Sequence, residues 1–231
     1  AFWVKERAEP ADLYGYAPPC TPFTIAHTTP KLRSTEAPYG DPNNPVVAEG
    51  NRFAFLTIRR ALAMISVGSH VLIENPLMSF FWLLHETQAL MGTIGLHLVR
   101  IDQCTVGTPY MKPQLWLTTI AALKENGTIC LHPQPHPERL SGSKTRKSAP
   151  YPERLCDIIV GARVRNIDAS NTVSDATRKS ARYVLGVIDS SDFHKKPFVA
   201  ELCKAGAEVI RRARHGAPAT SAAEVMAEQH D

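Results

Sequence analysis

Several features are scarce or missing in this chain of 231 residues. No stretch is both long enough and free enough of charge to cross a bilayer, which argues against a membrane protein. No basic-then-apolar leader opens the chain, so secretion is not expected, and an initial Ala in place of Met suggests processing or a piece of a longer product. Cysteine is sparse. Five residues at irregular spacing form an odd set, which speaks against a disulfide framework and for a reducing, intracellular compartment. No internal repeat is visible, so a repeat array is not expected.

What is present suits a folded domain. Hydrophobic residues make up 44% and charged residues 21%, enough to bury a core. Charge is uneven: residues 1–138 hold 10 Lys and Arg against 11 Asp and Glu, whereas residues 139–231 hold 16 against 11. A basic second half suits a polyanionic partner, although a merely solvated basic surface reads the same way.

Apolar patterning organises the chain. Residues 13–17 read as a short strand running into a Pro-Pro-Cys turn, and residues 28–50, with Pro30, Pro38, Pro42 and Pro45, as a loop. Phe55, Ile58, Leu62 and Ile65 recur at helical spacing, which predicts an amphipathic helix over 51–67. His70-Val71-Leu72-Ile73 reads as a buried parallel strand. Asn75 then stands where an N-cap belongs and Pro76 where a helix starts, so an apolar helix is expected from 76 to about 90. Residues 96–101 and 115–118 look like two more strands joined by a Gly-Pro loop. This alternation predicts an open α/β sheet. Helices are expected over 152–164, 174–186 and 197–214, with a tail that frays from 215. The expected division is 1–125, a linker over 126–151 and a helical basic region over 152–231.

Two segments carry chemistry. Cys20 follows Pro18 and Pro19 just past a strand, which places a thiol at the carboxyl edge of a parallel sheet, where such folds bind ligands. The plain alternative is a small buried hydrophobe. Glu74 ends a Val-Leu-Ile strand; a carboxyl group there is costly to bury unless paired or protonated, and a raised pKa makes it a proton donor. A helix-terminus Glu favoured by the local dipole is the plain alternative.

Together these segments resemble a known family. Asp12-Leu13-Tyr14-Gly15-Tyr16-Ala17-Pro18-Pro19-Cys20-Thr21-Pro22-Phe23-Thr24 is similar to the nucleophile motif of the cytosine-C5 DNA methyltransferases, in which an Asp-led strand ends in Pro-Cys-Gln-x-Phe-Ser. Glu74-Asn75-Pro76 resembles the family's Glu-Asn-Val. Residues 106–114 resemble a degraded Tyr-Gly-Val-Pro-Gln-x-Arg-x-Arg motif, with Lys112 at the first Arg position, and Pro152, Leu155, Cys156 and Ile159 echo a late segment. The Pro-rich spacer is similar to that of divergent phage and retroelement members.

The resemblance implies a partial Rossmann-like S-adenosylmethionine-dependent methyltransferase sheet with helices on both faces and a helical C-terminal region. It implies Cys20, Glu74 and Lys112 as catalytic residues, and Asp12, Pro18, Pro19 and Asn75 beside S-adenosylmethionine. It implies DNA contacts at Thr21, and the basic run Lys144, Arg146 and Lys147 adds a candidate phosphate clamp. The target cytosine would be swung out of the duplex.

Departures accompany these matches. Thr21 stands where Gln is usual, Ala17 where Gly is usual, and Tyr110 and Gln114 replace Gln and the second Arg. The eleven residues before Asp12 cannot hold the family's glycine-rich donor loop, so an upstream segment or second chain is expected to complete the sheet. Without it, β-edge exposure of the first strand is expected, and a catalytically dead nucleic-acid-binding domain is the alternative reading. A hydrolase using Cys20 and His27 is a third. Cys130, His132 and His136, with Cys156 downstream, have zinc-accepting side chains. Their spacing is no standard finger, and Pro133, Pro135 and Pro137 favour an ordinary loop, so no metal is expected. His70, His85, His97, Trp82 and Trp116 read as core or boundary residues.

Overall fold

Short apolar runs separated by proline-bearing turns become a four-stranded sheet in the computed structural model, which describes residues 12–24, 31–140, 148–169 and 172–228. The strands are β1 (Leu13–Tyr16), β2 (His70–Pro76), β3 (His97–Asp102) and β4 (Pro113–Thr118), in the order β1-β2-β4-β3. β1 and β2 are parallel, with Leu13 opposite His70 and Tyr16 opposite Ile73. β4 runs antiparallel to both its neighbours, and Trp116 faces Glu74 on one side and Val99 on the other. The α/β class expected from the sequence is found, but the sheet is mixed. Residues 103–112 are too few for a crossover helix, so β4 must return in the opposite direction.

Alternation along the strands divides the core in two. Val71, Ile73, Leu98, Leu115 and Leu117 face α1 (Pro45–Ser66), α2 (His85–Met91), α4 (Asp175–Ile188) and α5 (Pro197–Arg214) in one cluster. Leu72, Val99, Ile101 and Trp116 face the other way, against Leu155 and Ala162 of α3 (Glu153–Ala169). Helices therefore cover both faces, as expected. Trp82 and Trp116 are core residues, and no helix among the described residues is long and apolar enough to cross a membrane.

Some boundaries differ from the sequence reading. α1 begins at Pro45, inside the expected loop, because Asn44 Oδ1 accepts from the amides of Val46 and Val47. Asn75 caps no helix. β2 continues through Pro76, whose following residue Leu77 bonds Pro113, and the expected helix from 76 becomes a 3-10 turn at Phe80–Leu83 followed by α2. The tail does not fray from 215: α6 (Ala222–Glu228) buries Ala222 and Val225, and Arg212 of α5 pairs with Glu228 at 2.6 Å.

Candidate functional site

Pro18 and Pro19 end β1, and Cys20 is the residue from which a 3-10 turn, Thr21–Phe23, departs. The Phe23 amide donates to the Cys20 carbonyl at 2.9 Å. This turn is clamped by Arg33, a buried side chain that sequence reasoning missed. Its Nε donates to the Pro22 carbonyl at 2.6 Å, its other nitrogens reach the Pro38 and Val47 carbonyls and Asn51 Oδ1, and its guanidinium lies 4.1 Å from the Phe23 ring centroid. Gly50 of α1 lets Pro22 approach: a Cβ there would stand 2.7 Å from Pro22 Cβ.

Glu74 and Asn75 lie at the carboxyl end of β2, beside the end of β1, and point to opposite faces. Asn75 donates its side-chain amide to the buried Pro18 carbonyl at 3.0 Å, tying the two strand ends together. Glu74 faces α3. Its carboxylate accepts from Gln114 Nε2 and, at 3.1 Å, from the Tyr151 hydroxyl, and Gln114 in turn accepts from Gln103 Nε2 at 2.8 Å. Because β4 is reversed, its first residues stand where β1 and β2 finish. That brings Lys112 to the same edge, where Nζ donates to the Ser148 carbonyl at 2.7 Å.

The electrostatics confirm that these three side chains share one neighbourhood. Cys20 is exposed as a residue, yet desolvation of its thiol and then the Glu74 charge raise its pKa, while Lys112 lowers it. Burial raises the Glu74 pKa, with Lys112, Tyr151 and Gln114 pulling the other way. Burial lowers the Lys112 pKa, and Glu74 and Cys20 raise it. The cluster holds a thiol, a carboxyl group inclined to keep its proton, and one cation.

The remaining expected residues divide. Thr21 is exposed on the turn beside Cys20, and Pro18 and Asn75 belong to the same edge. Pro19 is exposed there. Asp12 stands at the amino end of β1, where its carbonyl accepts from the His70 amide, one strand length from Cys20. Lys144, Arg146, Lys147 and His27 lie outside the described residues. Of the side chains that hold Glu74, Gln114 was noticed only as a departure from a motif, and Gln103 and Tyr151 carried no signal of their own. His70 is buried against Thr119, whereas His85 is exposed beside Tyr39 and His194.

The Cys130–His136 segment is a loop, as its prolines suggested. Cys130, His132 and His136 converge, and Cys104 joins them; Cys156, the partner named from the sequence, does not belong to the group.

Comparison with protein-family models, curated proteins and solved structures finds no match for this chain.

Proposed function

We propose that Cys20, Glu74 and Lys112 form the base-side half of a cytosine-C5 methyltransferase-like site that acts on a cytosine swung out of DNA in an intracellular setting. The observation that carries this reading is the meeting of thiol, carboxyl group and cation at the carboxyl edge of the β1–β2 pair. Three segments far apart in sequence supply them.

The chemistry follows from the side chains. The Cys20 thiol releases its proton to solvent, with Lys112 stabilising the thiolate. Sγ bonds to C6 of the ring, the C5–C6 π pair shifts toward N3, and Glu74 gives its proton to N3. The product is a neutral ring with a nucleophilic C5. Taking a proton from water at C5, losing the original one, returning the N3 proton to Glu74 and expelling Cys20 restores cytosine with an exchanged hydrogen.

In the family resembled, the electrophile at C5 is the methyl group of S-adenosylmethionine. Asp12, Pro18, Pro19 and Asn75 do not build a pocket for it among the described residues. Asp12 stands at the far edge, the Pro18 carbonyl is taken by Asn75, and what remains is Asn75 Oδ1, buried without a partner among those residues. The chemistry available to the present side chains ends at the activated ring.

Release of tritium from DNA labelled at cytosine C5 tests the proposal without any methyl donor. Wild-type protein is expected to release label, Cys20→Ala to release none, and Glu74→Gln to slow release about 100-fold. Folded wild-type protein that binds DNA but releases no label above background overturns the enzymatic reading. It would support the second one, a nucleic-acid-binding domain without catalysis. That reading is favoured by the raised Cys20 pKa, which keeps the thiol protonated, and it expects salt-sensitive DNA binding.

A further inference from the structure

The cluster of Cys104, Cys130, His132 and His136 lies outside the Cys20 site and is independent of the function proposed for it. One sulfur or ring-nitrogen atom from each residue lies within 4.8 Å of the other three. Cys130 Sγ is 3.1 Å from His132 Nδ1 and 3.3 Å from His136 Nε2. A tetrahedral zinc ion with Zn–S near 2.3 Å and Zn–N near 2.05 Å requires S···N edges of about 3.5 Å. These two separations fall a few tenths of an ångström below that value. We infer that these four side chains form a closed structural zinc(II) site of the Cys2His2 type.

The segment's own conformation argues for a ligand. Leu131 is 88% exposed, although it is the apolar residue of its stretch, while Cys130 and the exposed His132 on either side of it turn toward one point. Directing a thiol and an imidazole to one point while the leucine between them stays in solvent gains little unless something binds them. Three prolines and no regular structure leave residues 131–137 with few internal bonds that could impose this.

Both ends of the loop are fixed to the stretch of chain on either side of Cys104. Thr128 exchanges backbone bonds with Arg100 and Asp102, and its hydroxyl meets that of Thr105 at 2.6 Å. The Cys130 amide donates to Asp102 Oδ2 at 2.9 Å, and Asp102 is paired with Arg100. Farther along, the Glu138 amide donates to the Pro109 carbonyl. The ligands are thus brought together by the fold rather than by spacing, which is why the sequence matches no standard finger.

Charge and geometry select the metal. Two thiolates and two neutral imidazoles balance Zn2+ without residual charge, and two sulfurs with two nitrogens in a tetrahedron suit zinc over magnesium or calcium. Four protein ligands leave no open position, so the ion's role is to staple the 130–136 loop to the connection of residues 103–112.

Metal analysis of the full chain, purified from zinc-supplemented cells and dialysed, tests this. About one zinc per chain is expected, and cobalt(II) substitution should give tetrahedral d–d bands with thiolate charge transfer. Cys104→Ser, Cys130→Ser, His132→Ala and His136→Ala should each lose most of the metal, and Cys156→Ser and Cys203→Ser should keep it. Should the ligand variants fail to fold, wild-type protein decides: zinc should protect Cys104 and Cys130 from alkylation, a strong chelator should expose them, and Cys156 should be indifferent. Folded wild-type protein holding below about one tenth of an equivalent after zinc loading, or ligand cysteines that react equally with and without metal, overturns the site.

Discussion

Gln114 donates its side-chain amide to Oε1 of Glu74, so the acid of the candidate site is held by a residue of the antiparallel strand beside it. Gln103 holds Gln114 in turn, and Tyr151 occupies the second carboxylate oxygen. Tyr151 is 36% exposed and Gln114 is buried. Of the two partners, the tyrosine is the one that solvent reaches.

The Glu74 environment makes stability depend on pH in a definite direction. Burial raises its folded pKa above the ordinary 4.5. Such a group contributes stability that is complete below its unfolded pKa and is lost as pH rises through the folded value. Glu74→Gln should therefore melt at a higher temperature than wild type at pH 7, with the difference closing below about pH 4. Scanning calorimetry at the two pH values checks this, and a pH-independent difference would contradict it. Gln114→Leu leaves Glu74 and Gln103 each short of a partner and should cost about 1–3 kcal/mol at pH 7 by urea denaturation.

Cys20 reactivity should follow its two charged neighbours. Glu74 raises the thiol's pKa and Lys112 lowers it. Glu74→Gln is expected to speed iodoacetamide modification of Cys20 at pH 7.5, and Lys112→Ala to slow it, each by about three- to tenfold. Peptide-resolved mass spectrometry separates Cys20 from Cys156, which is also exposed. Identical rates in all three proteins would place Cys20 outside the reach of both charges.

Arg33 and Gly50 hold the Cys20 turn from two sides. Arg33→Met removes bonds to three carbonyls, two of them outside any α-helix, and should cost on the order of 3 kcal/mol by denaturant midpoint. Arg33→Lys should recover little, because an ammonium cannot span the same fork. Gly50→Ala gains helix propensity of about 1 kcal/mol but drives Cβ into Pro22, so a net loss of about 1–2 kcal/mol is expected. A stabilised Gly50→Ala protein would mean that the turn yields freely.

Asn75 ties the ends of β1 and β2 through the Pro18 carbonyl. Asn75→Ala should destabilise by about 1–3 kcal/mol. Asn75→Asp should be worse at pH 7 than at pH 4, because a carboxylate cannot donate to that carbonyl. Urea midpoints at the two pH values distinguish a lost donor from a lost side-chain volume.

Much of the fold was legible along the chain. The apolar runs at 70–73, 96–101 and 115–118 became strands, the residues sharing a face at 152–164 became α3, and Pro197–Arg214 was bounded correctly. These are local signals, set by periodicity and by proline at helix starts. Asn75-Pro76 misled for the same reason: it has the local form of a helix start. Pairing with Leu115 and Gln114 kept it in a strand instead.

The sequence by itself determined which chemistry was available, since residue types fix what a side chain can donate, accept or attack. Cys20 and Glu74 were visible as parts of a candidate site because each follows a short apolar run and because their two segments together resemble one family's motifs. Tertiary structure alone decided what meets them. The short connection after β3 reverses β4 and so carries Lys112 and Gln114 to their edge. It also decided that Cys130, His132 and His136 are completed by Cys104 rather than Cys156. Spacing along a chain constrains partners only within a turn or a hairpin, whereas these contacts depend on strand direction and on how the ends of separate elements are fastened.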